Sequence, residues 1–196
     1  MALLLYLPTW SPFVTWAHFG EDGPELELAG RVLGISHPTG YPLFTLFVRV
    51  VAIVLPPPWA AVNLVTLLAA VLAVVGVGFA GRFLIRLALG EAPEVEWPGG
   101  LVSGAFFATS LTWWKQAVIG EVYTLHLALM VWVLALVLHG GRRQGLMAAY
   151  LLGLGLAHHL QAVPFLLVVL FYLALVKRLR PRAWNLGAFL LPLSLY

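Results

Sequence analysis

The 196 residues are 62% hydrophobic and 10% charged, with mean hydropathy +0.96 and a formal charge of +3. Apolar runs longer than ~18 residues exclude an ordinary soluble domain and point to helices in lipid. The basic residues recur in short clusters between those runs, as topology signals do, and form no nucleic-acid patch; the lack of Cys removes disulfides and thiolate metal sites.

Residues 2–16 are apolar but interrupted by Pro8 and Pro12, and they read as the outer part of a first transmembrane helix. There is no basic region or small-residue cleavage site of a signal peptide. An acidic segment follows, holding Asp22, the one Asp in the chain, within Gly20-Glu21-Asp22-Gly23-Pro24-Glu25. Pro24 suits a first helical residue, and Leu26, Ala29 and Leu33 repeat at helical spacing up to Gly34. This predicts a short amphipathic helix on the membrane surface. Residues 43–55 would rise only ~20 Å as a helix and carry Arg49, so they read as a re-entrant or interfacial helix ahead of Pro56-Pro57-Pro58.

Later spans are predicted at 59–81, at 98–114 ending in Trp113-Trp114-Lys115, and at 118–138. The run 146–176 is too long for one crossing and breaks at His158-His159, which predicts a hairpin of two short spans. A last apolar run, 183–196, gives the chain the look of the front part of a longer protein, with 196 residues expected to be inactive alone. If 43–55 does not cross, Arg82, Arg86, Arg142, Arg143, Lys177, Arg178, Arg180 and Arg182 share the cytoplasmic side. Asp22, Glu25, His37, Lys115, Glu121, His158 and His159 then fall on the outer face. Nine Arg against two Lys point to a GC-rich genome and hence a bacterial plasma membrane.

Carboxylates are expensive in a chain of this composition and tend to be kept for function. Asp22 and Glu25 stand near a helix amino terminus that favours anions, which suits a solvated loop as well as a catalytic one. Glu121 opens the 118–138 span, where a carboxylate needs water or a partner. His158 and His159 lie about 100° apart on a regular helix and reach one site together only if the helix breaks between them. His18 and His126 read as interfacial or packing residues, and Gly100-Leu-Val-Ser-Gly104 as a close helix contact.

Three motifs occur in order: Asp22-Gly23-Pro24-Glu25; Ser36-His37-Pro38-Thr39-Gly40-Tyr41-Pro42-Leu43; and Trp114-Lys115-Gln116-Ala117 leading to Glu121-Val122-Tyr123. Together they resemble the membrane family that contains the transmembrane O-mannosyltransferases of animals and many bacterial relatives. That family typically shows Asp-Ser-Gly-Glu, His-Pro-Pro-Gly-Tyr-Pro and Ala-Glu-Val-Tyr. This chain departs with Gly23-Pro24, Thr39 and Gly120, and the resemblance covers roughly 10–176.

The family is similar in turn to the GT-C glycosyltransferases. The resemblance implies an all-α, polytopic, GT-C-like transmembrane bundle, one domain over 1–196, with juxtamembrane helices in a first outer loop over 17–58. It also implies an inverting transferase that takes a monosaccharide, mannose foremost, from a polyprenyl-phosphate donor to a protein or glycan hydroxyl at the outer face. Asp22 would be the base, and Glu25 would orient it or the acceptor. His37, Lys115 and His158 or His159 would hold phosphate, directly or through a divalent metal. Glu121 would bind acceptor, metal or a partner base, and Tyr41 and Tyr123 complete the substrate-binding set. The rival reading is a transporter or lipid flippase of the envelope that performs no chemistry.

Overall fold

The computed structural model describes residues 1–14, 22–38, 40–172, 174 and 183–195. These residues are helical throughout, apart from loops and one isolated bridge between Phe13 and Trp59. The predicted positions Trp16, His18, Glu21, Thr39, Lys177, Arg178, Arg180 and Arg182 lie outside them.

Helix α1 (Ala2–Tyr6) passes into a 3₁₀ turn over Leu7–Thr9, where Pro8 cannot continue an α-helix. α1 and the extended residues beyond the turn are each tied to a later helix. Tyr6 is fully buried and donates its hydroxyl to the Ala108 carbonyl (2.9 Å), while Asn63 Nδ2 donates to the carbonyls of Ser11 and Phe13 (3.0 and 2.9 Å).

Helix α2 (Asp22–Val32) carries its acids in the first turn and Arg31 in the last, as the helix dipole favours. It ends with Leu33 in the left-handed region (φ 52°) and the Gly34 N–H on the Ala29 carbonyl (2.8 Å). Leu26 and Ala29 are buried, whereas Leu28, Val32 and Leu33 remain exposed. α2 therefore has one face covered by the rest of the chain and one apolar face left open. Its inner face packs on α3 (Pro42–Val54), with Gly30 directly against Val48.

Arg49 is placed by the same pairing. Its guanidinium donates to the Arg31 carbonyl, and Arg31 in turn pairs with Glu27 (2.7 Å) and donates to the carbonyls of Leu55 (3.2 Å) and Trp59 (2.7 Å). Both arginines thus fasten the carboxyl ends of α2 and α3 to the turn before α4 (Ala61–Leu89). Buried Glu27 accepts the Val62 N–H (2.7 Å) and caps the amino end of α4.

Helix α4, 29 residues or ~43 Å long, is the centre of the bundle. It runs on well past Arg82, where the predicted span ended, because charge marks the end of an apolar stretch and not of a helix. Among the described residues it is the one helix long and apolar enough to cross a membrane by itself. The predicted span 98–114 is two helices, α5 (Pro93–Thr109) and α6 (Leu111–Val118), separated by extended Ser110 (ψ 132°). α5 lies antiparallel to α4 through glycine contacts, as the Gly100-xxx-Gly104 spacing predicted. A Cβ on Gly100 would sit 2.7 Å from the Gly78 carbonyl oxygen.

Helix α7 (Tyr123–His139) runs parallel to α4: Thr66 touches Glu121 at one end, and Phe83 meets His139 at the other, ring centroids 4.9 Å apart. α8 (Arg142–His158) returns alongside α7, and α9 (Ala162–Phe171) leaves after the predicted break at the two histidines. α10 (Ala183–Leu190) and a 3₁₀ turn at Leu191–Leu195 pack back on α8. This alternation gives the bundle two chemically different ends. One gathers the starts of α2, α4 and α7 with the end of α8. The other holds Arg82, Arg86, Arg142 and Arg143.

Candidate active site at the histidine end

Asp22 and Glu25 stand one turn apart at the start of α2, and the loop after Leu33 returns His37 to them. The His37 N–H donates to Glu25 Oε1 (2.6 Å), His37 Nδ1 lies 3.0 Å from Glu25 Oε2, and His37 Nε2 lies 3.7 Å from Asp22 Oδ2. The hydrogen bonds from His37, ring first and backbone second, hold the Glu25 carboxyl below its usual range. One donor atom from each of Asp22, Glu25 and His37 falls within 4.8 Å of the others, so this trio could hold a metal ion.

The turn into α3 explains how Tyr41 joins them. Gly40 (φ 87°) and Tyr41 (φ 44°) are both left-handed, Ser36 Oγ donates to the Gly40 carbonyl (3.2 Å), and Pro42 opens the helix with a preset φ. Tyr41 is thereby buried, edge-on to His37 at 5.3 Å and to His158 at 5.9 Å, and stacked on His159 at 5.7 Å. The helix break settles the geometry of the histidine pair. His159 is extended (φ −154°, ψ 134°), so two neighbours that a continuous helix would splay both reach Tyr41. His159 also meets Tyr123 (5.9 Å) and His126 (5.2 Å). Partial burial pushes the His159 imidazole below its usual value. His158 is fully buried; its Nε2 lies 3.2 Å from the Val122 carbonyl, which makes Nε2 the protonated nitrogen.

Glu121 closes the far wall. Its backbone is latched to α4 by Thr66, whose Oγ1 donates to the Glu121 carbonyl (3.1 Å) and accepts the Glu121 N–H (3.2 Å). The side chain is 7% exposed, and its Oε2 has no hydrogen-bond partner. Burial first, and the Asp22 charge second, push the carboxyl up to about 7, with His37 and the Val122 amide pulling the other way. A carboxyl titrating there can accept or release a proton at neutral pH. Gly120 permits the approach of α2: a Cβ there would lie 2.8 Å from Asn63 Oδ1 and 3.2 Å from Gly23 Cα.

The structure thus gathers Asp22, Glu25, His37, Tyr41, Glu121, Tyr123, His158 and His159. It does not join Lys115 to them: that side chain is exposed on α6, with no hydrogen bond or ion pair among the described residues. Sequence reasoning missed His126, which it read as packing. The available signal was its place one turn after Tyr123, on the same helix face. It also missed the Thr66 latch and the Glu27 cap, which depend on contacts across the bundle.

The family described as "Protein O-mannosyl-transferase TMEM260 N-terminal domain" matches residues 22–183. The chain belongs to that family. The match begins at Asp22 and takes in every residue of the histidine-end cluster. A mouse protein, "Protein O-mannosyl-transferase TMEM260", is 32% identical over 107 residues, which is 55% of this chain and 14% of the mouse protein. The chain therefore spans only a small part of that relative's length. No solved structure matches the TMEM260-like chain.

Proposed function

We propose that this TMEM260-like chain is the catalytic front part of an integral-membrane, inverting glycosyltransferase of GT-C type. It would move mannose, the sugar in the mouse relative's name, from a polyprenyl-phosphate donor to an acceptor hydroxyl, on a protein in keeping with the same name. The observation that carries the reading is the convergence of Asp22, Glu25, His37, Glu121 and the two histidines at one end of the bundle, within the stretch that defines the family. In this reading α4, α5, α7, α8 and α9 are spans of a polytopic bundle. Helices α2 and α3 lie in the outer loop, the arginine end faces the cytoplasm and the histidine end faces outward. The exposed apolar residues Leu28, Val32, Val50 and Ile53 would then rest in the interface.

In the reaction the acceptor oxygen attacks the anomeric carbon from the face opposite the phosphate. The bond from that carbon to the phosphate oxygen breaks, its electrons leave with the polyprenyl phosphate, and the acceptor proton passes to Asp22. Glu25 fixes His37 through two hydrogen bonds, and Glu121, held near neutrality, positions the acceptor or shares its proton. The imidazoles of His37 and His159 are the groups to meet the departing phosphate. A lipid tail left in the bilayer would present the sugar at this interface.

A flippase without chemistry would place its charged residues along a path near the midplane. Here the acids collect at the two ends, which favours transfer. The test is transfer of radiolabelled mannose from polyprenyl-phosphate mannose in membranes holding the full-length protein. Labelled product that disappears with Asp22→Asn supports the reading; donor translocation without any product would replace it by the flippase.

A further inference from the structure

The electrostatics of the histidine end do not close with the groups present. Asp22 and Glu25 share one close imidazole, that of His37, and the buried Glu121 carboxyl feels the charges of Asp22 and His37. Elsewhere in the chain Glu27, Glu91 and Glu96 each have an arginine, Arg31, Arg86 and Arg82 respectively. Among the described residues no Lys or Arg pairs with the three acids.

The geometry around His37 is that of a ligand held ready. Its Nδ1 faces Glu25 Oε2 at 3.0 Å, and with the proton on Nδ1 the other nitrogen, Nε2, is left as a lone pair. A carboxylate behind a histidine in this way orients and strengthens it as a metal ligand. The free Nε2 points toward Asp22 Oδ2 at 3.7 Å, too long for a hydrogen bond. Two ligands each ~2.0–2.2 Å from a shared ion can be separated by that much. A second observation comes from the opposite wall. Glu121 is 7% exposed, senses the charges of both Asp22 and His37, and leaves Oε2 without a partner. Burying such an oxygen unpaired is costly, and a cation between the walls would satisfy it.

We propose that this end of the bundle binds one divalent transition-metal cation, with Asp22 and His37 Nε2 as ligands, Glu25 orienting the ring and Glu121 balancing the charge. The donor set, carboxylate and imidazole without thiolate, suits Mn²⁺ or Zn²⁺. Few protein ligands leave coordination positions open to water or an anion. The site is defined without reference to sugar transfer and stands or falls separately from that reading.

The experiment is Mn²⁺ titration of the chelator-stripped, detergent-purified full-length protein, followed by the electron paramagnetic resonance signal of free Mn²⁺, with Zn²⁺ competition. The expected result is one saturable equivalent that Zn²⁺ displaces and that raises the melting temperature. His37→Ala should remove it. Glu25→Gln, an exposed and conservative change that keeps the fold, should weaken it about 10–100-fold. Arg86→Gln at the other end should bind like the wild type. No saturable binding by the wild-type protein, or equal binding by folded Glu25→Gln and His37→Ala, would overturn the proposal. Neither readout involves donor or acceptor.

Discussion

The two ends of the bundle use similar residues to opposite effect. At the arginine end Glu96 is almost fully buried, yet Arg82 Nε meets its Oε2 at 3.3 Å and the Ala92 N–H meets its Oε1 at 3.1 Å. The same guanidinium lies 3.7 Å over the Trp97 ring, and Arg86 pairs with Glu91. Among the described residues every buried charge there has a partner, and the network ties α4 to α5. At the histidine end Glu121, also buried, has no Lys or Arg beside it among the described residues, and orphaned nitrogens remain on His126 and His158. A buried polar atom without a partner calls for an explanation, and a bound ion or ligand is one. The contrast separates a joint from a site.

Four substitutions sharpen that contrast. The largest effect on stability belongs to the joint. Glu96→Ala strands Arg82 between two helices and should cost about 3–5 kcal/mol, while leaving sugar transfer per folded protein unchanged. Unfolding monitored in detergent, alongside single-turnover transfer, measures both. Next is His158→Ala, which removes a fully buried ring and its bond to Val122 and should cost about 2 kcal/mol with some loss of transfer.

Glu121→Gln should reverse the pattern. With the carboxyl already pushed toward its neutral form, stability should shift by under about 1 kcal/mol, but transfer should fall about tenfold, equal to about 1.4 kcal/mol in the transition state. A change in KM as well as kcat would indicate acceptor positioning. The smallest effect is expected from Lys115→Ala. An exposed side chain without partners among the described residues should change stability by less than about 0.5 kcal/mol and leave the KM for donor as in the wild type. An equal stability loss for Glu96→Ala and Glu121→Gln would erase the distinction between the ends.

How much of this the sequence carried follows from the range of the interactions. The hairpin break at His158-His159 and the Gly100-Gly104 contact were legible, because each rests on local spacing. Asp22, Glu25 and His37 were expected only on a common face, and it is the bonds of His37 to Glu25, 12 residues away in sequence, that bring them together. The full length of α4 and the division of α5 from α6 at Ser110 were not legible. Hydropathy reports where a chain leaves an apolar medium and says little of where a helix stops. His126, Thr66 and Glu27 were hidden for another reason. Their roles exist only once α4 lies parallel to α7 and α2 docks on the start of α4, and no spacing along the chain encodes those pairings.

If the histidine end performs chemistry through Asp22, one rate must report it. Asp22→Asn is nearly isosteric but cannot accept the acceptor's proton. Transfer of labelled mannose per folded full-length protein, at saturating donor, should fall by about 10²–10⁴-fold, with expression and membrane insertion intact. Turnover close to that of the wild type would contradict the assignment and return the site to binding alone.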